Sequence, residues 1–433
     1  MINLLIYITN IYYKYILTYI FEKYNKGVIK LKVLGIIAEY NPFHNGHRYH
    51  IEEAKKITNA DYVIVVMSGN FTQTGNIAIY DKFTRAKLAT EYGVDLVIEL
   101  PTIYANSSAE SFAYGAVSIL HNLGIVDYIC FGSETDNIET LSKISKIINS
   151  NNVQINSKIK EILKSGVSYP VARENALKEF LTAEEIDILD KSNNILGIEY
   201  LRILDKLNSN ITPICIKRES SDFNEIMLNE KSDRYTSATS IRNMIYQNKI
   251  DLVEKYVPAL TYTTIVNTNA SFNDKLYRIL KYKILTTSLE ELRNISEVTE
   301  GLENKIKSEI THSLSYDDYI NNLKSKRYTM TKIKRMLNNI LLDITKDDLK
   351  YIKENNITYA HILSLGYKGK DLLSKISNNS NIKLITKINE NTLNELDENI
   401  RKYLDLDILA SNIYYTLNNE ITNKDYTNRL WLV

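Results

Sequence analysis

The sequence predicts an α/β fold, a parallel sheet layered with helices and followed by a C-terminal α-helical domain, on three observations. Between residues 33 and 131, short apolar runs rich in β-branched residues alternate with amphipathic stretches, the pattern of βαβ units. Polar and glycine-containing turns follow those runs, where open α/β sheets carry ligands beyond the carboxyl ends of their strands. From about residue 265 helical periodicity dominates and strand signals are few.

The elements follow in order. Residues 33–37 read as the first strand and 46–59 as the helix after it. In the same way 62–67 precedes 82–92, 96–100 precedes 107–123, and 128–131 closes the series. Residues 136–212 read as mostly helical, with a polar Asn/Ser/Lys linker near 149–158, and 213–217 as one more strand. After a polar loop, Ser237-Ala238-Thr239-Ser240-Ile241-Arg242 opens a helical pattern that runs to Tyr256 and stops at Pro258. Ser240 is its expected cap and Arg242 lies in its first turn. The chain therefore divides into an N-terminal extension (1–31), an α/β domain (32–264) and a helical domain (265–433).

The extension is apolar and Tyr-rich over residues 3–21, interrupted by Asn10 and Lys14. It lacks the basic start and small-residue cleavage site of a signal peptide, and it is borderline against the about 20 apolar residues of a membrane span. The favoured reading is that translation begins near Val28 or Leu31; an amphipathic or membrane-anchoring helix is the alternative. Membrane contact is expected only if the extension is real. A net charge of +1 over 433 residues argues against a strongly basic nucleic-acid protein and leaves room for a local basic patch. Cys130 and Cys215 each sit in a short apolar run, which provides neither a disulfide framework nor a four-ligand zinc site and suits a reducing, cytoplasmic setting.

Chemistry concentrates in His44-Asn45-Gly46-His47, directly after the first strand. Three of the six histidines, His44, His47 and His50, fall within seven positions. A strand that delivers a glycine-containing turn to a helix N-terminus builds a phosphate site from backbone N–H groups and the helix dipole. Gly46 lets a nucleotide approach the backbone closely. Imidazoles there stabilise phosphate charge; a metal site is the weaker alternative, since no cysteine or spaced carboxylate completes it, and a structural pair is the plainest reading. Ser240 and Arg242 form a second place where hydroxyl, N–H and guanidinium groups meet a phosphate. Asp81, Lys82 and Arg85 open a helix and could hold acetate or phosphate, though an i,i+4 surface pair of Asp81 with Arg85 is equally ordinary. Lys324, Lys326, Arg327, Lys332, Lys334 and Arg335 contain no acid among them and could follow a nucleic-acid backbone or form a solvated helix face.

Residues 44–47 and 237–242 resemble the two signature segments of the HIGH-type nucleotidylyltransferase superfamily. Longer strings narrow the resemblance: Gly35-Ile36-Ile37-Ala38-Glu39-Tyr40-Asn41-Pro42-Phe43-His44-Asn45-Gly46-His47, Val66-Met67-Ser68-Gly69-Asn70-Phe71 and Asp81-Lys82-Phe83-Thr84-Arg85-Ala86. Asp95-Leu96-Val97-Ile98-Glu99-Leu100-Pro101, Phe131-Gly132-Ser133-Glu134 and Asn193-Asn194-Ile195-Leu196-Gly197-Ile198-Glu199-Tyr200 follow in order. Together they are similar to the bacterial tRNA(Met) cytidine acetate ligase family, from about residue 32 into the C-terminal region, where 362–370 matches more loosely.

The resemblance implies a Rossmann-like nucleotidylyltransferase core and a two-step reaction. Acetate attacks the α-phosphorus of ATP, giving acetyl-adenylate and pyrophosphate; the wobble cytidine of elongator tRNA(Met) then takes the acetyl group as N4-acetylcytidine, releasing AMP. It implies ATP contacts from Ile37, Ala38, Glu39, Tyr40, Asn41, Pro42, Phe43, His44, Asn45, Gly46, His47, Arg48, Tyr49 and His50, with Gly132, Asn193 and Arg218. His44 and His47 are the catalytic candidates, Ser240 and Arg242 hold departing phosphates, and Mg2+ accompanies the nucleotide. No resident metal and no stable protein partner are expected, and the basic stretch is the expected tRNA holder. A small-molecule adenylyltransferase would share the tetrad without needing a large basic helical domain, and a tRNA scaffold with structural ATP is the third reading.

Overall fold

The computed structural model describes residues 31–218, 235–299, 301–380 and 382–432. The readings of residues 1–30 as a start-site artefact or an apolar helix lie outside them. An eight-stranded sheet organises the fold, in the order β5-β4-β1-β2-β3-β6-β7 with β8 paired to β6. Its strands are β1 (Val33–Ala38), β2 (Tyr62–Ser68), β3 (Leu96–Leu100), β4 (Tyr128–Ser133), β5 (Thr212–Lys217), β6 (Tyr359–Leu365), β7 (Lys383–Ile385) and β8 (Trp431–Leu432). The first five are mutually parallel. β2 and β3 are buried along their whole length, which accounts for their unbroken apolar runs.

Helices cover both faces. On one, α1 (Asn45–Thr58) and α2 (Lys82–Glu91) close a core with Leu34, Ile36, Phe43, Ile51, Val63 and Val65. On the other, α3 (Ala109–Asn122) and α4 (Ser192–Lys206) pack Phe112, Val117, Ile198 and Leu201 with Ile64, Val66 and Ile98. The strand order reverses at β1, whose neighbours are β4 and β2, so a crevice opens at the carboxyl ends of β1 and β4. The tetrad lies there.

Three local expectations change. The polar stretch at 149–158 is no linker: helices Ile138–Ser150 and Asn152–Leu163 meet at Asn151, and buried Ile155 and Ile159 provide the packing that the polar composition hid. The helix after residue 237 is α5 (Ala238–Tyr246), followed by a 3-10 segment, Ile250–Tyr256. Its cap is Ser237, whose side chain accepts the Ser240 N–H, so Ser240 stands within the first turn and Arg242 beyond it.

The region from 265 is mainly helical, as its periodicity predicts, and it also returns β6, β7 and β8 to the sheet. β6 runs antiparallel to β3, extending the α/β sheet by strands from the far end of the chain. Its Tyr-Ala-His-Ile-Leu-Ser-Leu sequence is buried at every position, with His361 and Ser364 breaking the apolar run that marks a strand. Among the described residues no helix is long and apolar enough to cross a membrane.

Candidate functional site

Two imidazoles cap α1. His44 is the N-cap, and its Nδ1 accepts the Gly46 N–H at 3.1 Å. His47 Nδ1 accepts the His44 N–H at 3.2 Å, completing a reciprocal capping box. The rings stack with centroids 3.6 Å apart. With both Nδ1 atoms accepting, each neutral ring carries its proton on Nε2 and offers it as a donor. Burial first, then the charges of Arg218 and Arg242, lowers His44 to about 3. Burial, His44, Arg218 and His50 hold His47 well below its ordinary value, and burial with Arg218 lowers His50 to about 4. The capping geometry and the lowered proton affinities together favour neutral rings at His44 and His47, each with an Nε2–H to donate.

The turn before the cap is fixed from several sides. Ile37 and Ala38 end β1. Tyr40 takes a left-handed φ of 47°, and the Asn41–Pro42 bond is cis. Tyr40 packs edge-on against Phe43 and His47, with both centroids at 4.9 Å, and Phe43 stacks on Tyr92 at 5.2 Å. Asn41 Oδ1 accepts the Ile79 N–H at 2.9 Å, and Asn45 Nδ2 donates to the Lys255 carbonyl at 2.9 Å. Glu39 receives the Gln73 N–H at 2.9 Å. Farther along α1, Arg48 pairs with Glu52 on the exposed face, Tyr49 lies beside Tyr235, and His50 Nε2 lies 3.4 Å from Cys130 Sγ.

Two guanidinium groups flank the imidazoles. Arg242 Nη1 donates to the Asn41 carbonyl at 2.8 Å and Nη2 to Thr239 Oγ1 at 2.9 Å. Arg218, just past β5, donates through Nη1 to Asn193 Oδ1 at 2.7 Å. Asn193 donates in turn to Glu134 Oε1 at 2.6 Å, and Glu134 also receives the Asn194 N–H at the start of α4, a favourable place for an anion. A Cβ on Gly132 would come within 2.9 Å of Arg218 Cγ, so this glycine makes the path for the arginine. His44, His47, Arg218 and Arg242 thus converge on one crevice, whereas Arg48 and Tyr49 of the expected ATP set are exposed and Ser240 Oγ pairs with Ser237 Oγ at 2.9 Å.

Other candidates go elsewhere. Arg85 is fully buried and holds four carbonyls: Tyr80 at 2.9 Å, Glu39 at 2.6 Å, Ser68 at 3.0 Å and Gly69. It fastens the ends of β1 and β2 and is neither an anion site nor a surface partner of Asp81, which caps α2. Lys82 Nζ lies 2.8 Å from Glu99 Oε2 and 2.6 Å from Asp425 Oδ1, all three side chains being buried. The Asp425 contact is an ion pair without well-directed hydrogen-bond geometry. Glu99, His361 and Asp425 bring potential ligand atoms within 4.8 Å of one another, but the ammonium of Lys82 already supplies that cluster's positive charge.

The basic stretch divides. Lys324 and Lys326 are exposed, between helix Tyr316–Leu323 and α6 (Met330–Leu341). Arg327 reaches the Leu163 carbonyl at 3.3 Å, and Lys332 lies over the Tyr328 ring. Lys334 donates to Asn76 Oδ1 at 3.1 Å, and Arg335, only 9% exposed, pairs with Glu297 at 2.9 Å. These last two turn inward, where Asn338 donates to the Gly75 carbonyl at 3.1 Å and to Asn106 Oδ1 at 2.9 Å. They brace the loop carrying Gln73, a role that nothing in the local sequence signals.

Mg2+ prefers oxygen ligands. Around the tetrad stand imidazoles and guanidinium groups; Glu134 is engaged on both oxygens by Asn193 and Asn194, and Glu39 by Gln73 on Oε1, so among the described residues a single carboxylate oxygen, Glu39 Oε2, is left there. These side chains do not fit a resident Mg2+.

The chain is similar to known proteins along nearly its whole length. The family described as HIGH Nucleotidyl Transferase matches residues 31–429. The tRNA(Met) cytidine acetate ligase of Clostridium perfringens is 42% identical over 405 residues, covering 92% of this chain and 98% of that protein. That of Acetivibrio thermocellus is 42% identical over 397 residues, covering 89% and 94%. The crystal structure of Thermotoga maritima TmcAL bound with alpha-thio ATP superposes with a TM-score of 0.85 at 31% identity, covering 93% of this chain and 100% of that one. With a doubly capped HIGH-type helix at the switch point of its sheet and this similarity along nearly its whole length, the chain belongs to the tRNA(Met) cytidine acetate ligase family of HIGH nucleotidyl transferases.

Proposed function

We propose that this chain is an ATP-dependent, cytoplasmic acetate ligase that forms acetyl-adenylate and passes the acetyl group to the wobble cytidine of elongator tRNA(Met). The observation that carries this reading is the pair of imidazoles capping α1, with Nδ1 atoms turned inward and Nε2–H groups available beside Arg218 and Arg242. In-line attack of acetate on the α-phosphorus needs positioning and charge stabilisation more than covalent chemistry. His44 and His47 donate to the phosphate oxygens as charge develops. Arg242 and Arg218 hold the departing pyrophosphate, with Asn193 and Glu134 keeping Arg218 in place. Mg2+ enters on the nucleotide's phosphates and is assigned no protein ligand.

Labelled acetate, ATP and elongator tRNA(Met) incubated with the protein should give label in the RNA, with AMP and pyrophosphate formed only when acetate is present. AMP transfer to a mononucleotide without RNA labelling would instead favour a small-molecule adenylyltransferase, and no pyrophosphate under any condition a scaffold.

Gly46 offers a sharper test of the cap. A Cβ there would lie 2.9 Å from His44 Cε1 and 3.1 Å from its Nδ1, so in Gly46→Ala the ring must move. Acetate-dependent ATP–pyrophosphate exchange should fall on the order of 10²-fold, the scale set by an ångström-level misplacement. Wild-type exchange in this variant would mean that the nucleotide does not use His44 in this orientation.

For the RNA, exposed Lys324 and Lys326, with Arg327 and Lys332 nearby, are the proposed backbone contacts; Lys334 and Arg335 contribute by holding α6. Replacing Lys324 and Lys326 with alanine should lower the slope of log affinity against log salt by about 1.4 to 1.8, since each phosphate contact contributes about 0.7 to 0.9. An unchanged slope in a filter-binding titration would move the RNA site elsewhere.

A further inference from the structure

The acetyl transfer needs a group to take a proton from the attacking amine, and the imidazoles are poor candidates. His44 and His47 have their Nδ1 lone pairs committed to backbone N–H groups, and His50 Nε2 faces Cys130. Their depressed proton affinities, caused first by burial, weaken them further as bases.

Glu39 differs. It is the first residue beyond β1, and among the described residues its carboxylate receives one hydrogen bond, on Oε1 from the Gln73 N–H at 2.9 Å. Oε2 is left to accept. The charged and titratable groups that face it are Arg242 of α5, Arg85 of α2 and Tyr200 of α4. Arg242 also faces His44 and grips the Asn41 carbonyl, so one guanidinium spans the phosphate side of the crevice and the Glu39 side. A carboxylate beside a triphosphate site weakens nucleotide binding by repulsion, and keeping one there suits a step that follows pyrophosphate release. Burial raises its proton affinity above that of an ordinary glutamate, against the lowering effects of Gln73 and the two arginines.

We propose that Glu39 is the general base of the acetyl-transfer step, an inference that rests on the acetate-ligase reading. The N4 lone pair of the cytidine attacks the acetyl carbonyl carbon and a C–N bond forms. The bond from that carbon to the adenylate's phosphate oxygen breaks, its electron pair leaving on AMP. One N4 proton passes to Glu39 Oε2 and from there to solvent.

The test is a single-turnover reaction of elongator tRNA(Met) with preformed acetyl-adenylate, which bypasses the first step. In Glu39→Gln the amide oxygen can still accept the Gln73 N–H but the side chain cannot take a proton. Transfer should slow by about 10²–10³-fold, within the range of general-base contributions. The wild-type rate should rise with pH and level off above the carboxyl's pKa, and Glu39→Gln should lose that rise. Glu39→Asp guards against a folding defect: it keeps a carboxylate and should retain the rise at a reduced rate. Transfer by Glu39→Gln within threefold of wild type, or loss of the rise in Glu39→Asp, would overturn the proposal. Pyrophosphate exchange by the wild type, which involves no amine, tests the parent reading separately: its absence would overturn the ligase assignment itself.

Discussion

His47→Ala is expected to reduce acetate-dependent ATP–pyrophosphate exchange by about 10²–10³-fold, the loss seen when one preorganised donor to a developing oxyanion is removed. Two effects combine. The variant removes an Nε2–H donor, and it strips the His44 N–H of its 3.2 Å acceptor while unstacking the His44 ring. The second effect loosens the helix N-terminus that presents its amides to phosphate. His47→Asn separates the two, because its side-chain oxygen can accept the His44 N–H while its amide donates outward, so exchange should recover in part. The affinity for tRNA should stay within about twofold of wild type in both variants. Exchange within threefold of wild type in His47→Ala, or an equal loss of RNA binding, would refute the role given to this imidazole.

The parts of the molecule that were legible in the sequence are those set by local periodicity. β1 to β5 and their helices follow from short β-branched runs alternating with amphipathic segments, and the tetrad was conspicuous because its histidines cluster at a strand-to-helix turn. Residues whose partners come from distant segments were not legible. Arg85, Lys82 and Arg335 look like cations of solvent-facing helices, yet each is buried, because carbonyls at the strand ends, Glu99 with Asp425, and Glu297 respectively meet them there. Ser237 and Ser240, three residues apart, both suit an N-cap, and only the backbone shows that α5 has begun by Ala238. β6 is hidden in the sequence for a related reason. A strand buried on both faces normally reads as an apolar run, and His361 interrupts this one so as to bond Glu99 at 2.7 Å.

That buried cluster sets the largest expected loss of stability. Lys82→Met replaces the ammonium by an apolar end of similar length and leaves Glu99 and Asp425 without their cation, at a cost of about 3–5 kcal/mol by urea denaturation at pH 7. The pH dependence identifies the cause. Burial alone would raise Glu99, but Lys82 and His361 outweigh it and hold the carboxyl down at about 2. Because this pKa lies below the unfolded value, the stability Glu99 contributes is present above about pH 4.5 and disappears as pH falls toward 2. In Lys82→Met Glu99 loses the charge that holds its carboxyl down and is neutralised more readily as acid is added, so the gap between variant and wild type should narrow between pH 7 and pH 5. A gap that stays constant would assign the loss to packing instead. The same variant should disturb catalysis before it unfolds. The Lys82 N–H bonds Asn70 Oδ1 at 2.7 Å, and Glu99 lies against Gly69, whose carbonyl Arg85 grips together with that of Glu39. The cluster joins β3 to His361 on β6 and to Asp425 near the C-terminal end, so the last part of the chain supports the turn that carries the first residues of the site.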